Sequence, residues 1–213
     1  MITSDAARPS NAEERNRLWR SLRVLDLFLS ASQGRPPATS DEDCTVPYRD
    51  TDSEGREAPD ILNASVQIFS ITERVVLEIY SKRKITLQLT EGISRQLRDW
   101  SARWLSHLKR VTSSVPGDRH ETAGACQVLS SYYYCVILVS RPFLVYELYR
   151  RVPEDAEPES GGPDTNTGRH KLANACIDSA CLMSDMILDL VERGALDKKS
   201  PLLVYVEPSP FNP

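Results

Sequence analysis

A helical period, broken repeatedly by proline, glycine and acid, constrains this chain more than any other feature. It is plainest in "LWRSLRVLDLFLSASQGRPPATSDEDCTVP", residues 18–47. At 100° per residue, Leu18, Leu22, Leu25 and Leu29 fall within about 60° of one another and form one stripe. Val24, Leu27 and Phe28 widen the apolar surface to nearly the whole circumference and leave Arg17, Arg20 and Arg23 the remainder. A helix this apolar predicts neighbours on every side. Gly34 supplies the glycine that commonly follows a helix end, and Pro36-Pro37 prevents the helix from resuming. Asp26 lies at the edge of the stripe beside Leu22 and Trp19, where a carboxylate needs a partner. Arg35, just past the glycine, is near enough to fold back, so an Asp26–Arg35 pair is the expected lock on the helix end. Two solvated charges are the alternative.

The same period recurs downstream. A second helix is expected over about 60–83, with Ile61, Ser65, Ile68, Thr72, Val75 and Ile79 on one face. Its many β-branched residues would suit a strand, but a 3.6-residue period held over five turns favours helix. A third, about 86–108, puts Ile93, Leu97, Trp100 and Trp104 on a common face. A fourth runs over about 121–140, is interrupted at Pro142 and continues to Arg151. A fifth spans about 169–193 and ends at Gly194. Between them, 38–59 and 152–168 ("VPEDAEPESGGPDTNTG") are poor in apolar residues and rich in acid, and they read as flexible loops. Residues 1–11 read as a disordered N-terminus, and 197–213 as an irregular proline-rich tail. The fold class is therefore all-α, an irregular array of about five to six helices with two long acidic loops.

Signals for chemistry are poor. Lys and Arg number 26 against 30 Asp and Glu, a net charge of −4, whereas a domain that grips phosphates usually carries a basic excess. Direct DNA binding by this chain is not expected. The five cysteines are odd in number and widely spaced, and no signal-like segment opens the chain, which fits a reducing compartment. The oiliest run, "YYYCVILV" at 132–139, is far shorter than the ~20 residues that cross a bilayer. His120-Glu121 lacks the second histidine of a zinc-protease helix, because Gly124 stands in its place. Cys176 and Cys181 are about 140° apart on a helix and suit buried small residues better than a shared ion. His107, His120 and His170 are scattered at polar positions. Tyr132, Tyr133 and Tyr134 point 100° apart and cannot make one stacking face. No enzyme is expected, and no cofactor or metal in this chain.

The run "ERNRLWRSLRVLDLFLSASQGRPPATSDEDCTVP" nevertheless resembles the signature of the fungal-specific transcription factor regulatory domain, the middle homology region of binuclear zinc-cluster activators. The matching elements are Arg15 and Arg17, Leu18-Trp19, Leu25-Asp26, Gly34-Arg35-Pro36, the acids Asp41 to Asp43, and Val46-Pro47. "SYYYCVILVSRPFLVY" is similar to a later family helix ending in an Arg-Pro-Phe step, here Arg141-Pro142-Phe143. "LANACIDSACLMSDMILDL" is similar to the small-residue helix that follows. The resemblance covers about 12–196. Arg20 stands where the family often has a second Trp, and the six closely spaced cysteines of a zinc cluster are absent.

The resemblance implies a nuclear transcription regulator in which this chain is the C-terminal portion of the regulatory domain. Zinc would belong only to the separate DNA-binding domain of a full-length member. It also implies an exposed apolar face, covered by a full-length transcription factor or another protein. A helical small-molecule sensor is a second expectation, with Trp104, Tyr133 and Phe143 as candidate pocket residues. A gene-model fragment without function of its own is a third.

Overall fold

The computed structural model describes residues 11–33, 35–39, 60–82, 85–114, 118–151 and 163–195. They form five α-helices: α1 (Asn11–Gln33), α2 (Ile61–Val75), α3 (Leu87–Ser113), α4 (Arg119–Arg151) and α5 (Pro163–Glu192). A π-helical turn, Val76–Ser81, continues α2. No strand occurs among the described residues, so the class is all-α as the periodicity indicates. Gly34, Asp43, Cys44, Pro47 and the expected N- and C-terminal tails lie outside the described residues or nearly so, α1 taking in Asn11.

Local chemistry sets the helix starts. Glu13 and Glu14 occupy the first turn of α1, where the positive end of the helix dipole favours acid. The Asp60 carboxylate accepts from the Leu62 amide at 3.1 Å to cap α2, and the Thr86 hydroxyl accepts from Leu89 at 3.2 Å to cap α3. Asp118 accepts from the His120 amide at the head of α4. At the far end of α5, Gly194 adopts φ 65°. There the Ala195 amide reaches back to the Leu190 carbonyl and the Gly194 amide to Val191. This is the paired-bond ending that a left-handed residue permits, and Gly194 was legible as the stop.

α2 is the central helix, in contact with α1, α3 and α4, while α5 lies against α4. Residues Asn63 to Phe69 are buried one after another. The stripe expected on α3 is inside as read: Ile93, Leu97, Trp100 and Trp104 all belong to the main core, with Leu108 extending it. Trp100 stacks on Tyr132 at 5.1 Å and donates its indole N–H to the Ala64 carbonyl at 3.1 Å. Trp104 donates to Gln67 Oε1, and Gln67 in turn donates to Asn63 Oδ1 at 3.3 Å. Each buried indole thus has the partner that desolvation demands.

Three expectations change. First, α1 is not enclosed. Its leucine stripe faces outward, with Leu18, Leu22 and Leu25 exposed at 71%, 50% and 54%, while Arg20, Arg23 and Leu27 are each buried to 3%. Arg20, Arg23, Leu27 and Ser30 form the inner face while Arg17 stays exposed, and Arg23 finds Thr39 and Glu73 there. Second, Pro142 does not interrupt α4, which runs unbroken from Arg119 to Arg151. This makes Arg119–Arg150 long and apolar enough to cross a membrane by length and composition, yet 56% of its apolar window is buried inside the array. Third, α5 begins at Pro163, inside the segment read as loop. Proline suits a first helical turn, where its missing N–H would have no partner anyway.

Candidate functional site

The chain brings its most elaborate polar arrangement to the joint after α1. The Asp26 carboxylate accepts from the Thr39 amide at 2.8 Å, the Thr39 hydroxyl at 2.6 Å and the Ala38 amide at 3.1 Å, with Ser30 Oγ at 3.4 Å. The segment beyond the prolines therefore folds back onto the helix it leaves, and Asp26 binds it there. Arg23 lies behind. Its Nη1 donates to the Thr39 hydroxyl at 2.7 Å and to the Thr39 carbonyl, and lies 3.9 Å from Asp26 Oδ2. Its Nη2 reaches both oxygens of Glu73 on α2, at 3.2 and 3.0 Å. The Thr39 hydroxyl thus stands between cation and anion, accepting from one and donating to the other.

Electrostatics follows the geometry. Partial burial pushes the Asp26 carboxyl upward, but the bonds from the Thr39 hydroxyl and amide, the Ala38 amide and the Arg23 charge outweigh it. Together they hold it below the usual carboxylate range. Arg35 plays a different part from the one expected. Its side chain is exposed, and its backbone amide donates to the Ser30 carbonyl at 3.0 Å. That bond closes six residues, the span of a glycine-type helix ending. The arginine anchors the turn through its peptide, and Asp26 is served by Thr39 and Arg23 instead.

Beside the joint lies an open cleft of about 1150 Å³. Arg23, Pro36, Pro37 and Thr39 form one wall, α2 with the π-helical turn a second, and α3 a third. Its rim is mixed in sign. Arg74 pairs with Glu78 at 3.0 Å, and Lys82 and Arg103 face the cleft with Asp99. Ile71 and Leu77 supply apolar surface. A π turn in a cleft wall often accompanies function. The candidate pocket residues are placed elsewhere. Trp104 and Tyr133 sit in the main core, Phe143 is buried on α4, and none of the three lines the cleft.

The π turn also explains the Arg-Pro-Phe step. Pro142 has no N–H, so the Leu138 carbonyl, four residues earlier, lacks its helical donor. The Tyr80 hydroxyl donates to that oxygen at 2.9 Å. Burial pushes the Tyr80 phenol up, with Arg141 opposing. Arg141 itself is exposed and Phe143 buried. The other motif residues, Arg17 and Leu18, are exposed and Trp19 is half-buried.

Elsewhere the described side chains are quiet. Burial pushes the Cys126 thiol up to about 11 and the Cys135 thiol up to about 12, which disfavours the reactive thiolate. Cys176 is buried and Cys181 exposed, on different faces as their spacing requires. Among the described residues no group of three or more His, Cys, Asp or Glu converges. Glu73 and Thr39 were not singled out from sequence. A Glu-Arg pair inside the apolar run "SITERVVLEIY" was the available signal for Glu73. Thr39 gave none.

Two curated proteins are similar to this chain. Filamentous growth regulator 27 of Candida albicans is 26% identical over 151 residues. An uncharacterized transcriptional regulatory protein of Schizosaccharomyces pombe is 24% identical over 151 residues. Each match takes in 66% of this chain and 19% of the relative, so the chain spans about a fifth of the length of these relatives. No family model matches, and no solved structure matches. At the coarser level of fungal regulators, these relatives agree with the resemblance carried by the motifs of α1 and α4.

Proposed function

We propose that this chain is the regulatory portion of a fungal transcription regulator of zinc-cluster type, working in the nucleus, whose DNA is read by a separate zinc-bearing domain. The observation that carries the reading is the similarity to the two fungal regulators over 151 residues. The chemistry of the joint supports it: Asp26, Thr39, Arg23 and Glu73 bind one another into a lock between α1 and α2. In this reading the lock joins the wall of the cleft to α1. The test is to tether the chain to a heterologous DNA-binding module at a reporter promoter. Transcription should change relative to the module alone, and Asp26→Ala should alter that change. Reporter output identical to the module alone for both proteins would contradict the reading.

A small-molecule effector is the second reading, and the cleft favours it. It adjoins both the lock and the π turn and combines apolar surface with charges of both signs, as a site for a polar metabolite requires. A melting temperature raised by fractions of a fungal metabolite extract, and no longer raised in Leu77→Asp, is the expected result. No shift with any fraction would contradict it.

A further inference from the structure

α1 and α5 are the outermost helices of the array, and each leaves apolar residues exposed. On α5 the exposed Ile177, Leu188 and Val191 share their face with Cys181 and Ser184. On α1 the stripe is leucine throughout: Leu18, Leu22 and Leu25 are exposed and Leu29 is half-buried beside them. Their spacing of four, three and four is the a/d repeat of a helix pair. It also reads the same from either end, about a midpoint between positions 23 and 24. A helix whose stripe is palindromic is complementary to an antiparallel copy of itself.

We propose that this face pairs α1 with α1 of a second copy of the chain, antiparallel, about a two-fold axis. Leu22 then meets Leu25 of the partner subunit, and Leu18 meets Leu29 of the partner subunit. Charge selects the direction. An antiparallel pair carries Arg15 to the far end of the opposing helix, whose last turn itself holds no basic residue, and so parts it from its own copy. A parallel pair would set Arg15 against its own copy at an inward position, which opposes it. The stripe is about 17 Å long at 1.5 Å per residue, and its four leucines cover less than the roughly 800 Å² per partner of a standard interface. The dimer is therefore weak and concentration-dependent, with Kd on the order of tens of micromolar. It stands independently of the transcriptional reading.

The test is sedimentation equilibrium of the whole chain from about 5 to about 200 µM, a range that brackets that Kd. The expected mass rises from 23.9 kDa toward twice that value. The L22D/L25D double variant should stay at the monomer mass over the same range while keeping the helical circular dichroism of the parent. A parent chain that is monomeric throughout overturns the proposal and leaves the face to a different polypeptide. So does a dimer undiminished in L22D/L25D, which would place association elsewhere, such as α5. Should that variant fail to fold, an equimolar mixture of L22C chains and L25C chains oxidised with diamide decides by mass spectrometry of the cross-linked dimer. Cross-links from position 22 to position 25 are expected, and 22-to-22 with 25-to-25 links contradict the antiparallel arrangement.

Discussion

Helices α1 and α3 carry the same kind of pattern and meet opposite fates. On α3, Ile93, Leu97, Trp100 and Trp104 repeat at helical spacing and are buried. On α1, Leu18, Leu22 and Leu25 repeat as regularly and are exposed. The difference lies in the rest of each wheel. Away from its stripe α3 offers Glu91, Arg95, Arg98 and Asp99, which belong in water. α1 offers Val24, Leu27 and Phe28 together with Arg20 and Arg23, and Arg23 finds Glu73 and Thr39 inside. Periodicity identifies which residues share a face. Which face turns inward depends on partners contributed by other elements, and on α1 those are fifty and sixteen residues away in sequence.

The comparison can be strained most severely from the α3 side. Trp100→Ala removes a fully buried indole, its stack on Tyr132 and its bond to Ala64. A loss of about 3–5 kcal/mol is expected in urea unfolding, enough to unfold a marginal domain. A loss below about 1 kcal/mol would place Trp100 outside the core.

On the α1 side, Asp26→Ala leaves the Thr39 and Ala38 amides and the Thr39 hydroxyl without their acceptor, and a cost of about 2–3 kcal/mol is expected. pH sharpens this. The Asp26 carboxyl is lower in the folded state than in the unfolded one, so its stabilisation is present above the unfolded value near 3.9. It is lost as pH falls through the lower folded value. Asp26→Asn should therefore lose less stability between about pH 5 and pH 2 than the parent chain. Equal acid slopes would show that the carboxylate is not held by the lock.

A smaller effect tests the link between the π turn and α4. Tyr80→Phe leaves the Leu138 carbonyl without its donor, costing about 1 kcal/mol. In a Pro142→Ala background the helix supplies its own amide, so the same substitution should cost less than about 0.5 kcal/mol. Additive costs would mean that the hydroxyl does not replace the missing N–H.

Much of the array was legible. All five helices follow from periodicity, and Gly194 from its position after the last apolar residue of α5. The α3 stripe and the buried tryptophan pair were also readable, because the residues off that stripe are charged. Two kinds of feature were not. The unbroken α4 depends on Tyr80, fifty-eight residues upstream of the carbonyl it satisfies, and a proline read locally predicts only a break. The lock was half visible: a carboxylate at the edge of an apolar stripe demands a partner, and Asp26 has several. Sequence proximity suggested the Arg35 guanidinium, whereas the partners are Thr39, a residue without charge or motif, and Arg23, which the wheel had placed among polar leftovers. The cleft depends on three separate segments converging and leaves no local signature.

The orientation of α1 underlies the lock, the cleft wall and the exposed leucine face, and adjacent leucines report on it directly. Leu27 is buried and Leu25, two residues earlier, is exposed. Unfolding free energies of Leu27→Ala and Leu25→Ala should be compared at about 1 µM, where weak association contributes nothing. The account predicts a loss of about 2–4 kcal/mol for Leu27→Ala and less than about 0.5 kcal/mol for Leu25→Ala. Equal losses, or the larger loss at Leu25, would mean that α1 buries its leucine stripe after all.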